Sequence, residues 1–153
     1  GKSFELAYYK ALLAAGISFT GKEKSALLSV NNSDKKYLPE ISKLLNELGF
    51  VVYATSGTAA HVPNAVKTPK INKAVSNELD VLQLIRSGKI GLIINTPTKG
   101  GDSHTDGFRI RRAAIEKGIP CITTINTASE LLKALHKLKT SDLEIRTVEE
   151  WVN

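Results

Sequence analysis

Short runs of apolar and β-branched residues alternate with helical patterns about five times along this chain, and that rhythm constrains its fold more than any other feature. Residues 25–30, 50–54, 65–68, 90–94 and 120–123 read as strands. The run at 90–94 is the most apolar and is expected to be central, because a strand covered on both faces carries a continuous apolar sequence. Alternation of this kind predicts an α/β fold: a doubly wound parallel sheet with helices on both faces.

The intervening patterns are helical. Phe4, Ala7, Tyr8, Ala11 and Leu12 share one face of a first helix that Gly16 stops, and a connector follows as far as Lys24. Leu38, Ile41, Leu44, Leu45 and Leu48 define a second helix closed by Gly49. With Asp34 as its N-cap, Pro39 falls just past the free first turn, so this helix should start later or be distorted there. Gly57 opens a short helix that Pro63 ends, and 67–76 reads as a polar loop. Asn77 is expected to cap a helix with Leu79, Leu82 and Ile85 on one face, ended by Gly88. Residues 106–117 form an arginine-rich helix stopped by Gly118. Thr127-Ala128-Ser129-Glu130 has capping-box spacing ahead of Leu131, Leu132, Leu135 and Leu138, and 143–148 offers an edge strand.

At 153 residues the chain matches one domain with a sizeable core. It divides into an opening helix and connector at 1–20, an α/β core at 25–138 and a tail at 139–153. The chain holds no methionine and opens directly into a helical pattern, so it is expected to be a piece of a longer polypeptide. No run approaches the ~18 apolar residues of a membrane span, and the single Cys121 rules out an internal disulfide framework, which together suggest a cytoplasmic protein. The net charge of +6 is spread along helices rather than gathered with aromatics, which argues against nucleic acid and for a solvated surface that attracts anions. His61, His104 and His136 show no metal-ligand spacing, and Cys121 reads as a small core residue. Arg109, Arg111 and Arg112 read as cations facing solvent or an acidic neighbour, with Arg109 and Arg112 near each other and away from Arg111.

The polar loops that leave the strands carry the chemistry. Ser29-Val30-Asn31-Asn32-Ser33-Asp34-Lys35, Thr55-Ser56-Gly57-Thr58 and Asn95-Thr96-Pro97-Thr98-Lys99-Gly100 hold hydroxyls, small residues and lysines, with Asp34 as the one carboxylate. In an open parallel sheet, ligands sit at the carboxyl ends of the strands. A rim of this composition suits a phosphate, with Lys35 near a helix start and Gly57 letting backbone approach the oxygens. Thr55 and Thr58 flank that glycine, and Asn95 supplies both a donor and an acceptor.

Gly91-Leu92-Ile93-Ile94-Asn95-Thr96-Pro97-Thr98-Lys99-Gly100, with Asp106-Gly107-Phe108-Arg109-Ile110-Arg111-Arg112 and Gly118-Ile119-Pro120-Cys121-Ile122-Thr123, resembles the C-terminal domain of the large subunit of carbamoyl-phosphate synthase. The likeness covers nearly the whole chain and extends to Asp34-Lys35 and Thr55-Ser56-Gly57-Thr58. It implies the superfamily named after methylglyoxal synthase, with a Rossmann-like five-stranded sheet. It also implies an allosteric regulatory domain that binds a phosphorylated nucleotide: UMP, with IMP or phosphoribosyl pyrophosphate as the other candidates. The implied effector positions are Ser29, Lys35, Thr55, Thr58, Lys73 and Asn95, joined by Thr96 and Thr98 of the same loop; Lys73 comes from the resemblance alone. No cofactor is implied for this domain and no catalytic residue. The implied parent is an oligomeric ligase that uses ATP and Mg or Mn in upstream ATP-grasp domains and works with a glutaminase small subunit in pyrimidine or arginine synthesis. Where some relatives carry a hydroxyl two places after Asn95, this chain has Pro97, which leaves the nucleotide preference open.

Three rival readings share the fold. Methylglyoxal synthase needs a carboxylate base next to the phosphate cradle. Relatives with that activity resemble this chain but carry histidine at the position of Asn31 and a Gly-Gly-Asp-like segment near Asn72-Lys73-Ala74, leaving Asp102, His104 and Asp106 as rim groups. The cyclohydrolase domain of the bifunctional purine-synthesis enzyme is opposed by the Asp106–Arg112 segment. The third is an oligomerisation module that has lost its ligand.

Overall fold

A computed structural model describes residues 4–14, 24–69, 71, 79–98 and 105–137. The 139–153 tail, the expected strand at 143–148, the stop at Gly16, and the side chains of Lys73, Asp102 and His104 lie outside the described residues. The strands are β1 (Ser25–Ser29), β2 (Val51–Thr55), β3 (Val66–Thr68), β4 (Leu92–Asn95) and β5 (Cys121–Ile122). They form one sheet in the order β3-β2-β1-β4-β5, and every pairing is parallel. The expected doubly wound parallel sheet is therefore present. The middle place belongs to β1, however, and β4 lies one position off it. Both carry a fully buried apolar run, Ala26–Leu28 and Leu92–Ile94, so continuous hydrophobicity marks an interior strand without ranking interior strands.

The helices are α1 (Phe4–Ala14), α2 (Leu38–Glu47), α3 (Ser56–Ala59), α4 (Val81–Arg86), α5 (Asp106–Glu116) and α6 (Ile125–Lys137). Alternate residues of β1 feed two cores. Ala26 and Leu28 join Val52, Ala54, Leu92 and Ile94 beneath α2 and α6, with Tyr8 of α1 packed against them. Leu27 and Ile93 face the other way, against Val81, Leu82 and Ile85 of α4 and Ile110, Ala113 and Ala114 of α5. Leu27, Leu28, Leu92 and Ile93 are completely sealed from water. Burial of each such side chain stabilises the fold by roughly 1.5–3 kcal/mol. The chain leaves β1 for β2 on one side and later passes from β4 to β5 on the other. Right-handed crossovers then require α2 and α5 on opposite faces, as observed.

Helix starts differ most from the sequence reading. A 3₁₀ segment, Asn32–Tyr37, precedes α2, and Asn31 rather than Asp34 caps it by accepting the Asp34 N–H. Pro39 then falls in the first turn of α2, where its missing N–H is harmless, which is the delayed start that the proline required. α4 begins at Val81, not after Asn77: the Asp80 carboxylate accepts the Leu82 and Gln83 N–H groups, and Gln83 returns a bond to the Asp80 N–H. Leu79 is consequently outside the helix and exposed. α6 begins one turn before the expected box, with Thr124 accepting from the Thr127 N–H, and Glu130 pairs with Lys133 instead. On α1, Ala7 and Ala11 are exposed, and half-buried Tyr8 makes the contact with the core. Gly49 and Gly118 end α2 and α5 with φ of 79° and 64°, a backbone state that strains any L side chain.

Candidate functional site

Strand register assembles the site. Leu28 pairs with Ala54, so Ser29 and Thr55 leave the sheet at the same level, and Ser29 itself pairs with Asn95. Because β1 sends the chain to β2 while β4 lies on its other flank, the carboxyl end of β1 is the topological switch point, where crevices open in α/β sheets. The crevice has two halves that share Ser29.

On the β2 side, the Thr55 hydroxyl lies 3.3 Å from Thr58 Oγ1 and 3.5 Å from Ser29 Oγ. Thr58 is 1% exposed, and its hydroxyl accepts the Val30 N–H at 3.2 Å, so it also braces the end of β1. Lys35 lies within the 3₁₀ segment rather than at a helix start. Its Nζ reaches across to α3, 3.8 Å from where a Cβ on Gly57 would stand. Among the described residues no hydrogen bond or ion pair engages that ammonium.

On the β4 side, Asn95 is 1% exposed; its Nδ2 donates to the Ser29 carbonyl at 3.2 Å, and its Oδ1 accepts from Arg111 Nη1 at 2.6 Å. Asn31 ties the loops together. Its N–H and its Nδ2 both donate to Thr96 Oγ1, at 3.0 and 3.1 Å, and Nδ2 also approaches the Pro97 carbonyl and Asp34 Oδ2. The carboxylate of Asp34 is thus bound to Asn31. A cavity of about 160 Å³ opens here, lined by residues 29–31 and 95–98 together with Thr105, Gly107 and Arg111. Thr98 is exposed on its wall. Gly107 allows α5 to approach: an added Cβ would lie 3.3 Å from Arg111 Nη1 and 3.5 Å from Asn95 Oδ1.

The structure therefore brings together Ser29, Lys35, Thr55, Thr58, Asn95, Thr96 and Thr98 along one edge. Asn31, part of the first rim loop, is among them, and the structure adds Thr105, Gly107 and Arg111, which the sequence reading did not place there. Arg111 lies one helical turn beyond Gly107, but nothing in the sequence singles it out from Arg109 and Arg112 before the burial of Ile110, Ala113 and Ala114 shows how α5 is turned. Arg109 and Arg112 are exposed on the outer side of α5, where Arg112 bonds Glu116 at 2.9 Å. A wider groove of about 710 Å³ runs between α4 and α5 past Arg86, Phe108, Arg109 and Arg112, but no strand-end residue borders it. His61 is exposed, and His136 lies 3.2 Å from Glu47 on the surface. Cys121 is half-buried beside β4, and burial pushes its thiol up to about 11 against a smaller lowering by Arg111. Among the described residues, no three His, Cys, Asp or Glu side chains gather as metal ligands, and no helix is long and apolar enough to cross a membrane.

A doubly wound sheet with a hydroxyl-, amide- and cation-lined crevice at its switch point defines the class, and a family model described as the MGS-like domain matches residues 38–123. The chain belongs to the MGS-like domain family. It is 40% identical over 153 residues to the carbamoyl phosphate synthase large chain, C-terminal section, of Methanocaldococcus jannaschii, a match covering 97% of this chain and 24% of that protein. The section of the same description from Methanopyrus kandleri is 37% identical over 150 residues, covering 97% of this chain and 28% of that protein. The chain thus spans about a quarter of the length of these curated relatives.

Proposed function

We propose that this chain is the effector-binding section of a carbamoyl-phosphate synthase large chain and takes a phosphorylated nucleotide at the carboxyl edge of the sheet. UMP is the first candidate, followed by IMP and phosphoribosyl pyrophosphate. The observation that carries this reading is the placement of the Lys35 ammonium, unengaged among the described residues, beside Gly57, flanked by Thr55 and Thr58, whose side chains cluster with the Ser29 hydroxyl. Meanwhile Asn31 holds Asp34, the one carboxylate of the three loops. A phosphate there gains a charge-assisted contact from Lys35.

The wider setting belongs to the same proposal. The reaction takes place in the ATP-grasp domains of the longer chain, with ATP and Mg or Mn, and with ammonia from a glutaminase subunit. It serves pyrimidine or arginine synthesis in the cytoplasm. The effector modulates it only through its differential affinity for two states of the whole assembly. The domain itself binds without catalysing: at the place where lyase relatives have a histidine, Asn31 is committed to bracing Thr96, Pro97 and Asp34.

Calorimetry of the 153-residue chain with UMP, IMP and phosphoribosyl pyrophosphate tests the reading. A charge-assisted contact contributes about 1.5–3 kcal/mol, so Lys35→Ala should weaken binding about tenfold to a hundredfold. Binding no tighter than millimolar for all three, or affinity indifferent to Lys35→Ala, overturns it. Release of methylglyoxal from dihydroxyacetone phosphate, lost in Asp106→Asn, would replace binding alone with catalysis.

A further inference from the structure

We infer that the crevice has a second anion-binding pole, made by Arg111 on the β4 side, so that a second, separated anionic group on a phosphorylated small molecule strengthens its binding. This rests on the reading of the edge as a phosphate site and extends it to a subsite and a ligand class.

Arg111 has the features of a receptor rather than of a structural cation. Of its five N–H donors, one is engaged among the described residues, by Asn95 Oδ1 at 2.6 Å. No carboxylate lies within 4.0 Å of it among the described residues, whereas Arg112 next to it is paired with Glu116. It is half-buried and lines the 160 Å³ cavity beside Thr96, Thr98 and Thr105. A half-buried guanidinium without a counter-charge is costly, and an anion in the cavity would relieve that cost through a bidentate contact.

Asn95 is the positioning residue. Its amide is locked between the Ser29 carbonyl and Arg111, so the guanidinium is held at the strand ends before any ligand arrives. Gly107 keeps α5 close enough for that bond. The cavity is well below the ~300–1,000 Å³ of sites that enclose a whole ligand, so it suits one group of a larger molecule. The rest of that molecule extends past Ser29, which borders both halves, toward Lys35 and Thr55. Lys35 takes one anion and Arg111 the other.

The test compares ribose 5-phosphate with ribose 1,5-bisphosphate by calorimetry at fixed ionic strength, on the unaltered chain and on Lys35→Ala, Arg111→Gln and Arg111→Lys. The bisphosphate should bind about tenfold to a hundredfold tighter than the monophosphate. Arg111→Gln should erase that margin, weakening the bisphosphate about tenfold more than the monophosphate. Arg111→Lys, which keeps the charge and loses the fork, should fall between. Lys35→Ala should weaken both sugars. A melting curve for each variant separates loss of binding from loss of fold.

Equal affinity for the two sugars, a margin that survives Arg111→Gln, or no binding of either sugar overturns the inference. UMP binding that needs Lys35 without any bisphosphate margin would sink this inference alone. Arg111-dependent bisphosphate binding without binding of any of the three nucleotide candidates would sink the nucleotide reading alone.

Discussion

The two halves of the crevice solve the same problem with different chemistry. Both halves are tied across the chain. On the β2 side Thr55 and Thr58 reach Ser29 and Val30 across 26 and 28 residues, with Gly57 between them. On the β4 side Asn31 reaches Thr96 across 65 residues and Arg111 reaches Asn95 across 16. In the first half the hydroxyls face one another loosely, at 3.3–3.5 Å; in the second, amides and a guanidinium are bonded at 2.6–3.2 Å. A loosely bonded pole can adjust to a ligand, whereas a tightly bonded one is fixed beforehand and loses little on binding.

The contrast is most exposed to a change at Asn95. Asn95→Leu keeps the approximate volume but strips Arg111 of its amide partner and leaves the Ser29 carbonyl with the Thr96 N–H alone. A lost buried partner costs about 1–3 kcal/mol, so denaturant unfolding should show a loss of about 1–3 kcal/mol. A loss below about 0.5 kcal/mol would mean that the β4 half is not rigidly built. Next comes Thr58→Val, which strips the Val30 N–H of its acceptor and should cost about 1–2 kcal/mol, again by denaturant unfolding. Thr55→Val, which removes only the long contacts, should stay within about 0.5 kcal/mol. If the two threonines cost the same, the β2 half is as tightly bonded as its counterpart.

An effect confined to alkaline pH is read at Cys121. Its thiol rises from the ordinary 9.0 to about 11 in the folded chain. The native state therefore holds this proton more tightly than the unfolded state does. Its contribution to stability is complete below pH 9 and is lost as pH rises through about 11. Cys121→Ser should flatten the stability profile across that window. Arg111→Gln should move the alkylation pKa of Cys121 further up, because the guanidinium is the group that lowers it. An unmoved alkylation profile would show that the charge on the β4 half does not reach β5.

How much was legible follows the same division. The β2 half and Lys35 could be read from the loops, because apolar runs ending in Ser29 and Thr55 announce strand ends whatever their partners are. Asn95 and Thr96 were legible for the same reason. Arg111 was not: three arginines within four positions look alike until the packing of Ile110, Ala113 and Ala114 fixes which way the helix is turned. Helix starts were misread at Asn77 and Thr127, since several polar residues in a row can cap and only the turn actually formed selects Asp80 or Thr124.

By itself the sequence determined where along the chain the five described strands lie, the two-sided burial of the sheet and the polarity of its carboxyl edge. Those follow from local periodicity and from which residues can be buried at all. Only the tertiary structure decided that β1 takes the middle, that Asn31 binds Asp34 and braces Thr96, and that Arg111 alone of its neighbours turns to the crevice. These depend on register and on helix rotation, which are set by contacts between residues far apart in the chain.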